Sequence, residues 1–412
     1  MRFIWKRKLP RRRRLLCFTL LAILIYIFYQ IVISFNDENI EFDRQWTCEE
    51  LKARDRLAEL CKDFINGNTG GNLCHDLCTS GELVVQDCLA HKNTTVVFSG
   101  TWRRNDVVFK TKRRPHHVEK LEDLLSIGVS DDEPTAGDEK LFKNFVLRVF
   151  EHVQNELSFF RLKDILNISE QRVLEVLWHP HPLGELTWAD MSSLWLLIQR
   201  DEFIKLQLLK EMRHIPRVYG FCGSFYAVEK VETLEEFSFT PFKRPMPWKK
   251  RLNAALNFLD LSEEFTKTPL GQLHHCDIQP GNFGVAKDKR VVALDIDSVF
   301  ATKQMEDFLE QPTCESNKQC DFFDCMSACN TTEHKCSRKI LTNNLQIICR
   351  DILLSHWGQP GLLQRAPIHA QNKLSPVLSD CASDTMLPWK PGKIERIYRK
   401  LKKILSEELE SN

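Results

Sequence analysis

Residues 275–285 read HCDIQPGNFGV. An Asp just ahead of Pro-Gly is ordinarily a turn former, because its side chain bonds the backbone two residues on. Spacing argues for more. Asp277 lies two residues after His275, Asn282 five after Asp277, and Asp295 thirteen after Asn282, inside the apolar run VVALDID at 291–297. A carboxylate, an amide and a second carboxylate on one loop and the strand that follows supply a proton acceptor and two oxygen ligands for a hard divalent cation.

Working outward, residues 82–86 (ELVVQ), 95–102 (TVVFSGTW) and 106–110 (DVVFK) read as strands, being short, β-branched and separated by turns. Residues 113–140 are charged and read as a surface loop. Residues 141–178 and 188–212 read as helical, the latter from the spacing of Leu194, Leu197, Ile198, Phe203, Ile204 and Leu208. VYGFCGSFYAVEKV (218–231) reads as two strands joined at Gly223-Ser224. Helices over 249–265, 343–357 and 392–409 complete the pattern, and no internal repeat is present. Strands, a long helix, a hairpin, a helix and then a His-x-Asp loop is the element order of a protein kinase. The expected class is α+β, a protein-kinase-like two-lobe fold with an N-terminal transmembrane helix and disulfide-rich insertions.

Such a fold predicts five roles. Phosphoryl transfer needs a base at the acceptor hydroxyl, which is Asp277, and metal ligands beside the phosphates, which are Asn282 and Asp295. It needs a lysine on the third strand, and Lys110 in VVFK fits, with Lys112 as competitor on the same face. It needs a glutamate on the long helix to hold that lysine, and Glu202 fits, with Asp201 as competitor. His275 takes the place of the histidine that packs beneath the loop.

The ends of the chain say where it works. Residues 1–14 carry eight cations and no acid, residues 15–35 carry no charge, and residues 36–43 carry four acids. A run of that length spans a bilayer as a helix, and cations stay cytosolic. The expectation is a single-pass type II anchor at 15–35 with the bulk of the chain lumenal; a cleaved signal peptide is the rival, but no small-residue end follows the apolar run. The arginine pairs at 11–14 suit either an ER-retention address or simple orientation. Of the 15 cysteines, one (Cys17) lies in the apolar run and the rest beyond it, an even number that suits disulfides in an oxidising lumen. They form an early cluster (Cys48, Cys61, Cys74, Cys78, Cys88) and a late one (Cys314 to Cys349, then Cys381), while Cys222 and Cys276 stand apart. Zinc is the rival, but no paired metal-binding spacing occurs. Sequons at Asn93, Asn167 and Asn330 agree with a lumenal chain. A net charge of +1 gives no reason to expect nucleic acid.

A short basic tail, one anchor, a cysteine-rich start, GFCGSFYAVEKV, HCDIQPGNFGV, LDID and NKQCDFFDCMSACN together resemble the divergent protein kinase domain 1 family. The resemblance covers nearly the whole lumenal chain. It implies cysteine-rich type II membrane proteins of the endoplasmic reticulum with a kinase-like lumenal domain. The expected layout is a tail at 1–14, an anchor at 15–35, a cysteine-rich start at 36–90, an N-lobe at 91–232 and a C-lobe at 233–412 that holds the cysteine-rich segment 314–349. Some relatives carry an EF-hand loop. Here 179–190 (HPHPLGELTWAD) keeps Gly184 and Asp190 but has His179, His181 and Leu183 at ligand positions, so calcium is not expected. Two of those histidines catching a transition metal is the alternative.

Four departures bear on activity. Cys276 replaces an arginine that reads activation-loop phosphate, and Gln279 replaces a lysine that contacts the transferred phosphate. Asp295-Ile296-Asp297 stands for D-F-G, adding a carboxylate. The stretch QDCLAHKNTT between Val85 and Val96 has no glycine to let backbone amides approach phosphate. The expected function is a lumenal kinase that uses ATP with Mg²⁺ or Mn²⁺ on a hydroxyl of a secretory-pathway protein or glycan. The alternatives are a pseudokinase acting as an ER binding or scaffold protein, and a disulfide-rich ectodomain without a nucleotide site.

Overall fold

The structure is a computed structural model that describes residues 48, 50–92, 95–112, 121, 139–157, 169–178, 186–234, 246–310, 313–356, 359–383, 389–390 and 392–411. The expected anchor, the sequons at Asn93 and Asn167 and residues 179–185 of the EF-like loop lie outside them. Among the described residues no helix is long and apolar enough to cross a membrane.

The chain opens with helices α1 (Glu50–Ile65) and α2 (Cys74–Cys78). Strands β1 (Leu83–Lys92), β2 (Thr95–Trp102) and β3 (Asn105–Lys112) follow. Next come helices α3 (Glu139–Glu156), α4 (Glu170–Leu177), α5 (Trp188–Ile198) and α6 (Asp201–Leu208). Strands β4 (Val218–Cys222) and β5 (Phe225–Glu229) complete an antiparallel sheet in the order β1-β2-β3-β5-β4. Gly223 turns the last hairpin at a left-handed φ of 56°, where a Cβ is unwelcome.

Both faces of this sheet are buried. Val108, Tyr226 and Val228 face α3 to α6 in the main core. Val96, Phe98, Val107, Phe109 and Ala227 face the other way and pack on Ala53, Leu60 and Leu73 of the cysteine-rich start. That start is stitched to β4: Leu73 N donates to Phe221 O (3.0 Å), Gly223 N to Gly70 O (3.0 Å), and Phe221 N to Asn72 Oδ1 (2.9 Å). Disulfides Cys48–Cys88, Cys61–Cys78 and Cys74–Cys222 complete the attachment.

The helical stretches are more divided than periodicity alone predicts. The 188–212 stretch breaks at Gln199-Arg200, which sets α6 apart from α5. Thr187 and Asp190 form a capping box at the start of α5: Thr187 N and Oγ1 donate to Asp190 Oδ2 at 3.1 and 2.8 Å. The last residue of the EF-like frame is therefore a helix cap.

Beyond β5, the short strand β6 (Glu232–Thr233) leads to helix α7 (Trp248–Glu264). Strands β7 (Leu273–His275), β8 (Phe283–Val285), β9 (Val291–Ala293) and β10 (Val299–Ala301) form two small sheets, β6-β8-β9 and β7-β10, that hold the His-x-Asp loop between them. Helix α8 (Thr302–Leu309) precedes the late cysteine segment. Helix α9 (Asn344–Ile347) runs on as a π-helical stretch (Ile348–Leu354), and α10 (Ile368–Cys381) and α11 (Lys393–Glu410) close the domain. On α11, Ile397, Leu401 and Leu405 recur every fourth residue and bury against the core.

The late cysteines fold into two small hairpins, Asp321–Phe322 against Cys325–Met326 and Cys329–Asn330 against Lys335–Cys336. Disulfides Cys276–Cys325, Cys314–Cys329 and Cys320–Cys336 hold them, and Cys349–Cys381 ties the π-helical stretch to α10. Cys222 and Cys276, isolated in sequence, are each bridged. The sulfurs of Cys314, Cys320 and Cys329 lie within 4.8 Å of one another, but each is already in a disulfide and so is no thiolate ligand.

Candidate functional site

The sheet, α6 and the loop after β7 bring the expected residues into place. Lys110 on β3 points toward α6, and its Nζ donates to Glu202 Oε1 at 2.5 Å. The other oxygen of Glu202 accepts from the buried Tyr226 hydroxyl on β5 at 2.8 Å. Burial and the Glu202 charge push the Tyr226 pKa well up, so the phenol stays a neutral donor. Asp201, the competitor, faces the next turn of its helix and pairs with Lys205 at 2.9 Å. The strand and helix thus select Lys110 and Glu202 as partners; the Lys112 side chain lies outside the described residues.

The loop is equally ordered. A 3₁₀ turn at Pro280–Asn282 folds Asn282 back, so that its Nδ2 donates to Asp277 O (2.9 Å) and Asp277 Oδ2 (2.7 Å). Gln279 Nε2 donates to both oxygens of Asp277 at 3.2 and 3.1 Å. Gln279 thus orients the Asp277 carboxylate. Asp277 N donates to His275 Nδ1 at 3.3 Å. The His275 ring is fully buried 5.1 Å from Phe283, and burial, aided by the Lys205 charge, holds its pKa down at about 3. It is a neutral structural group.

Asp295 lies exposed two residues beyond β9, and its Oδ1 accepts from Asp297 N at 3.3 Å. Its charge acts on both Tyr226 and Lys205. The D-I-D segment is gripped from α6: Lys205 Nζ donates to Ile296 O (3.2 Å) and Asp297 O (3.0 Å) and lies 4.5 Å from the Phe300 ring centroid. Lys205 is 2% exposed, and burial lowers its pKa against the opposing pull of Asp201. The peptide of Asp297, at the glycine position, is thus used as a hydrogen-bond acceptor.

Several supporting residues escape sequence reasoning. Asn344 clamps β7, accepting from His275 N at 2.9 Å and donating to Leu273 O at 2.8 Å. Asp324 holds the loop from below: its Oδ2 accepts from Ile278 N (2.8 Å), its N donates to Cys276 O (2.8 Å), and Arg350 pairs with its Oδ1 at 2.6 Å. Together with Cys276–Cys325, these contacts stand where an arginine would read a phosphorylated loop. Only Lys205 leaves a trace in sequence, three residues after Glu202 and four after Asp201 on a helix.

The covering hairpin differs from the expected ten-residue loop. β1 continues through Cys88 to Lys92, which pairs with Thr95 of β2. Irregular register flanks Cys88, and Cys48–Cys88 ties the strand to the start of the chain. The absence of glycine matches a strand, since Gly weakens strand interiors.

A lysine–glutamate pair, a His-x-Asp loop with an adjacent amide, and a carboxylate just beyond the strand that follows fit a divergent protein-kinase-like domain joined to a cysteine-rich start. Two family models agree. "Protein-kinase domain of FAM69" matches residues 194–384, and "N-term cysteine-rich ER, FAM69" matches residues 7–167. The chain belongs to this FAM69 family. A solved apo pseudokinase is also similar, at 11% identity, with 78% of this chain and 91% of that chain covered and a TM-score of 0.34.

Proposed function

We propose that this chain is a phosphotransferase of the endoplasmic-reticulum lumen that moves the γ-phosphate of ATP to a hydroxyl on a secretory-pathway protein or glycan. The observation that carries this reading is the Lys110–Glu202 ion pair, made between a strand and a helix and backed by Tyr226. Burying an ion pair costs desolvation, and a scaffold gains little stability by it. Asp277, oriented by Gln279 and Asn282, accepts the proton of the acceptor hydroxyl. Lys110 grips the phosphates.

The donors fit a hard cation. Asn282 commits its amide nitrogen to Asp277, which turns the amide oxygen outward, and Asp295 offers an exposed carboxylate. Asn282 and Asp295 would hold Mg²⁺ or Mn²⁺, which when bound offsets phosphate charge. The lumenal setting, with a type II anchor at 15–35, is supported by the basic tail, the disulfides and the ER description of the N-terminal family model.

Melting of the purified full-length protein with ATP and Mn²⁺, together with phosphate release, tests this. A nucleotide-dependent rise in melting temperature and turnover, both lost in Asp295→Ala, is expected. Identical traces with no shift in either protein sink it.

A second reading is a pseudokinase that binds an ER client through its cysteine-rich surfaces. The glycine-free β1–β2 hairpin, pinned by Cys48–Cys88, favours it. It predicts that Lys110→Ala and Asp277→Ala leave cellular function intact while disruption of the 314–349 cysteines abolishes it.

A further inference from the structure

Beside Asp277 lies a cavity of about 490 Å³, lined by Asp277, Gln279, Asp324, Arg350, Asp351 and Phe323. Its size suits a small ligand. Phe323 is 68% exposed and sits at a left-handed φ of 53°, an outlier for a bulky residue. That φ belongs to the two-residue turn between Phe322 and Cys325, which sets the direction of the side chain. Phe323 ends an aromatic chain: Phe322 meets it edge-on at 5.0 Å, stacks on Phe308 at 5.1 Å and contacts Phe300 at 5.5 Å. Its ring is a fixed apolar plate beside the base.

The walls narrow the choice of ligand. Three carboxylates face one guanidinium, and Arg350 is already held by Asp324 and Asp351 at 2.6 Å each. An acidic acceptor is repelled. An extended peptide needs a run of free backbone partners. The segment bordering the cavity is folded into short disulfide-bonded hairpins, and its amide at Asp324 is committed to Cys276 O. A neutral ring with one apolar C–H face and several hydroxyls matches the plate and the carboxylates.

We infer that this cavity is an acceptor site for a neutral sugar ring, stacked on Phe323, with a hydroxyl directed at Asp277. The inference rests on the phosphotransferase reading and narrows it to glycans. In the transfer, the sugar oxygen bonds to the γ-phosphorus, the bond from that phosphorus to the β-phosphate oxygen breaks, ADP leaves, and the hydroxyl proton passes to Asp277.

Phe323→Gly separates fold from binding, because glycine is at home at this φ and removes the plate. The probes are the methyl glycosides of glucose, mannose, xylose and N-acetylglucosamine, read by saturation-transfer NMR on the full-length protein. At least one glycoside should show transfer to its ring protons, weakened about fivefold in Phe323→Gly, with the melting temperature and the ATP-dependent melting shift retained. No transfer to any of the four, equal transfer in both proteins, or Phe323-dependent binding of a serine or tyrosine peptide instead would overturn the inference. Absence of the ATP-dependent shift in the unaltered protein would remove the phosphotransferase reading separately.

Discussion

The two flanks of the His-x-Asp loop are held by different means. On the cleft side, Lys110, Glu202, Tyr226, Lys205 and the D-I-D peptides meet through ion pairs and hydrogen bonds. On the outer side, Cys276–Cys325 and the disulfide-bonded hairpins fix the loop covalently, with Asp324 and Arg350 adding charge-assisted contacts. Groups that must meet charge from a ligand are held by charge. Groups that need only stay in place are cross-linked. A loop switched by phosphate needs an order–disorder segment; this one is stapled by Cys276–Cys325.

The comparison can be broken most severely at the base. Asp277→Asn should lower phosphoryl transfer about 10³-fold while leaving the ATP-dependent melting shift, as radiolabel transfer and calorimetry would show. If transfer survives, the charged flank is not catalytic. Removing the outer staple as Cys276→Ser with Cys325→Ser should cost about 3 kcal/mol of stability but spare nucleotide binding, checked by denaturant unfolding and the same melting shift. Loss of binding would mean that the covalent flank also shapes the cleft.

Lys205→Met sharpens the other side. It leaves two carbonyls without their donor and should cost about 2 kcal/mol, with a weaker ATP response as D-I-D loosens. A variant with an unchanged ATP response would reduce Lys205 to a structural role.

The smallest effect is acid sensitivity. Burial lowers the pKa values of His275 and His274 to about 3 and 4, against an unfolded value near 6.5. The unfolded chain therefore binds more protons between those values, so stability falls as pH drops from 6.5 toward 3. Each histidine should cost about 1 kcal/mol by pH 5.5, seen as a falling melting temperature. A flat profile would show that the rings are not held neutral.

The charged flank was largely legible in the sequence. Lys110, Glu202, Asp277 and Asn282 stand at intervals set by strand and loop lengths, so the Lys110–Glu202 pair and the Asp277–Asn282 contact follow from element order. Their competitors were settled only by three-dimensional direction: Asp201 faces Lys205, one turn away from Glu202. The stapled flank was not legible. Disulfide partners such as Cys74–Cys222 and Cys276–Cys325 are far apart in sequence, and only the packing of the hairpins brings them together. Asn344 reads as an ordinary helix-start residue until β7 is seen to run past it. The extension of β1 to Lys92 was hidden because its polar residues do not alternate with apolar ones.

If the charged flank forms a nucleotide site, Lys110 and Asp295 carry its binding. Titration calorimetry of the purified full-length protein with ATP and Mn²⁺ tests it most directly, against Lys110→Met and Asp295→Ala. The account predicts saturable binding that both substitutions abolish. No heat of binding in the unaltered protein, or binding that neither substitution changes, would contradict it.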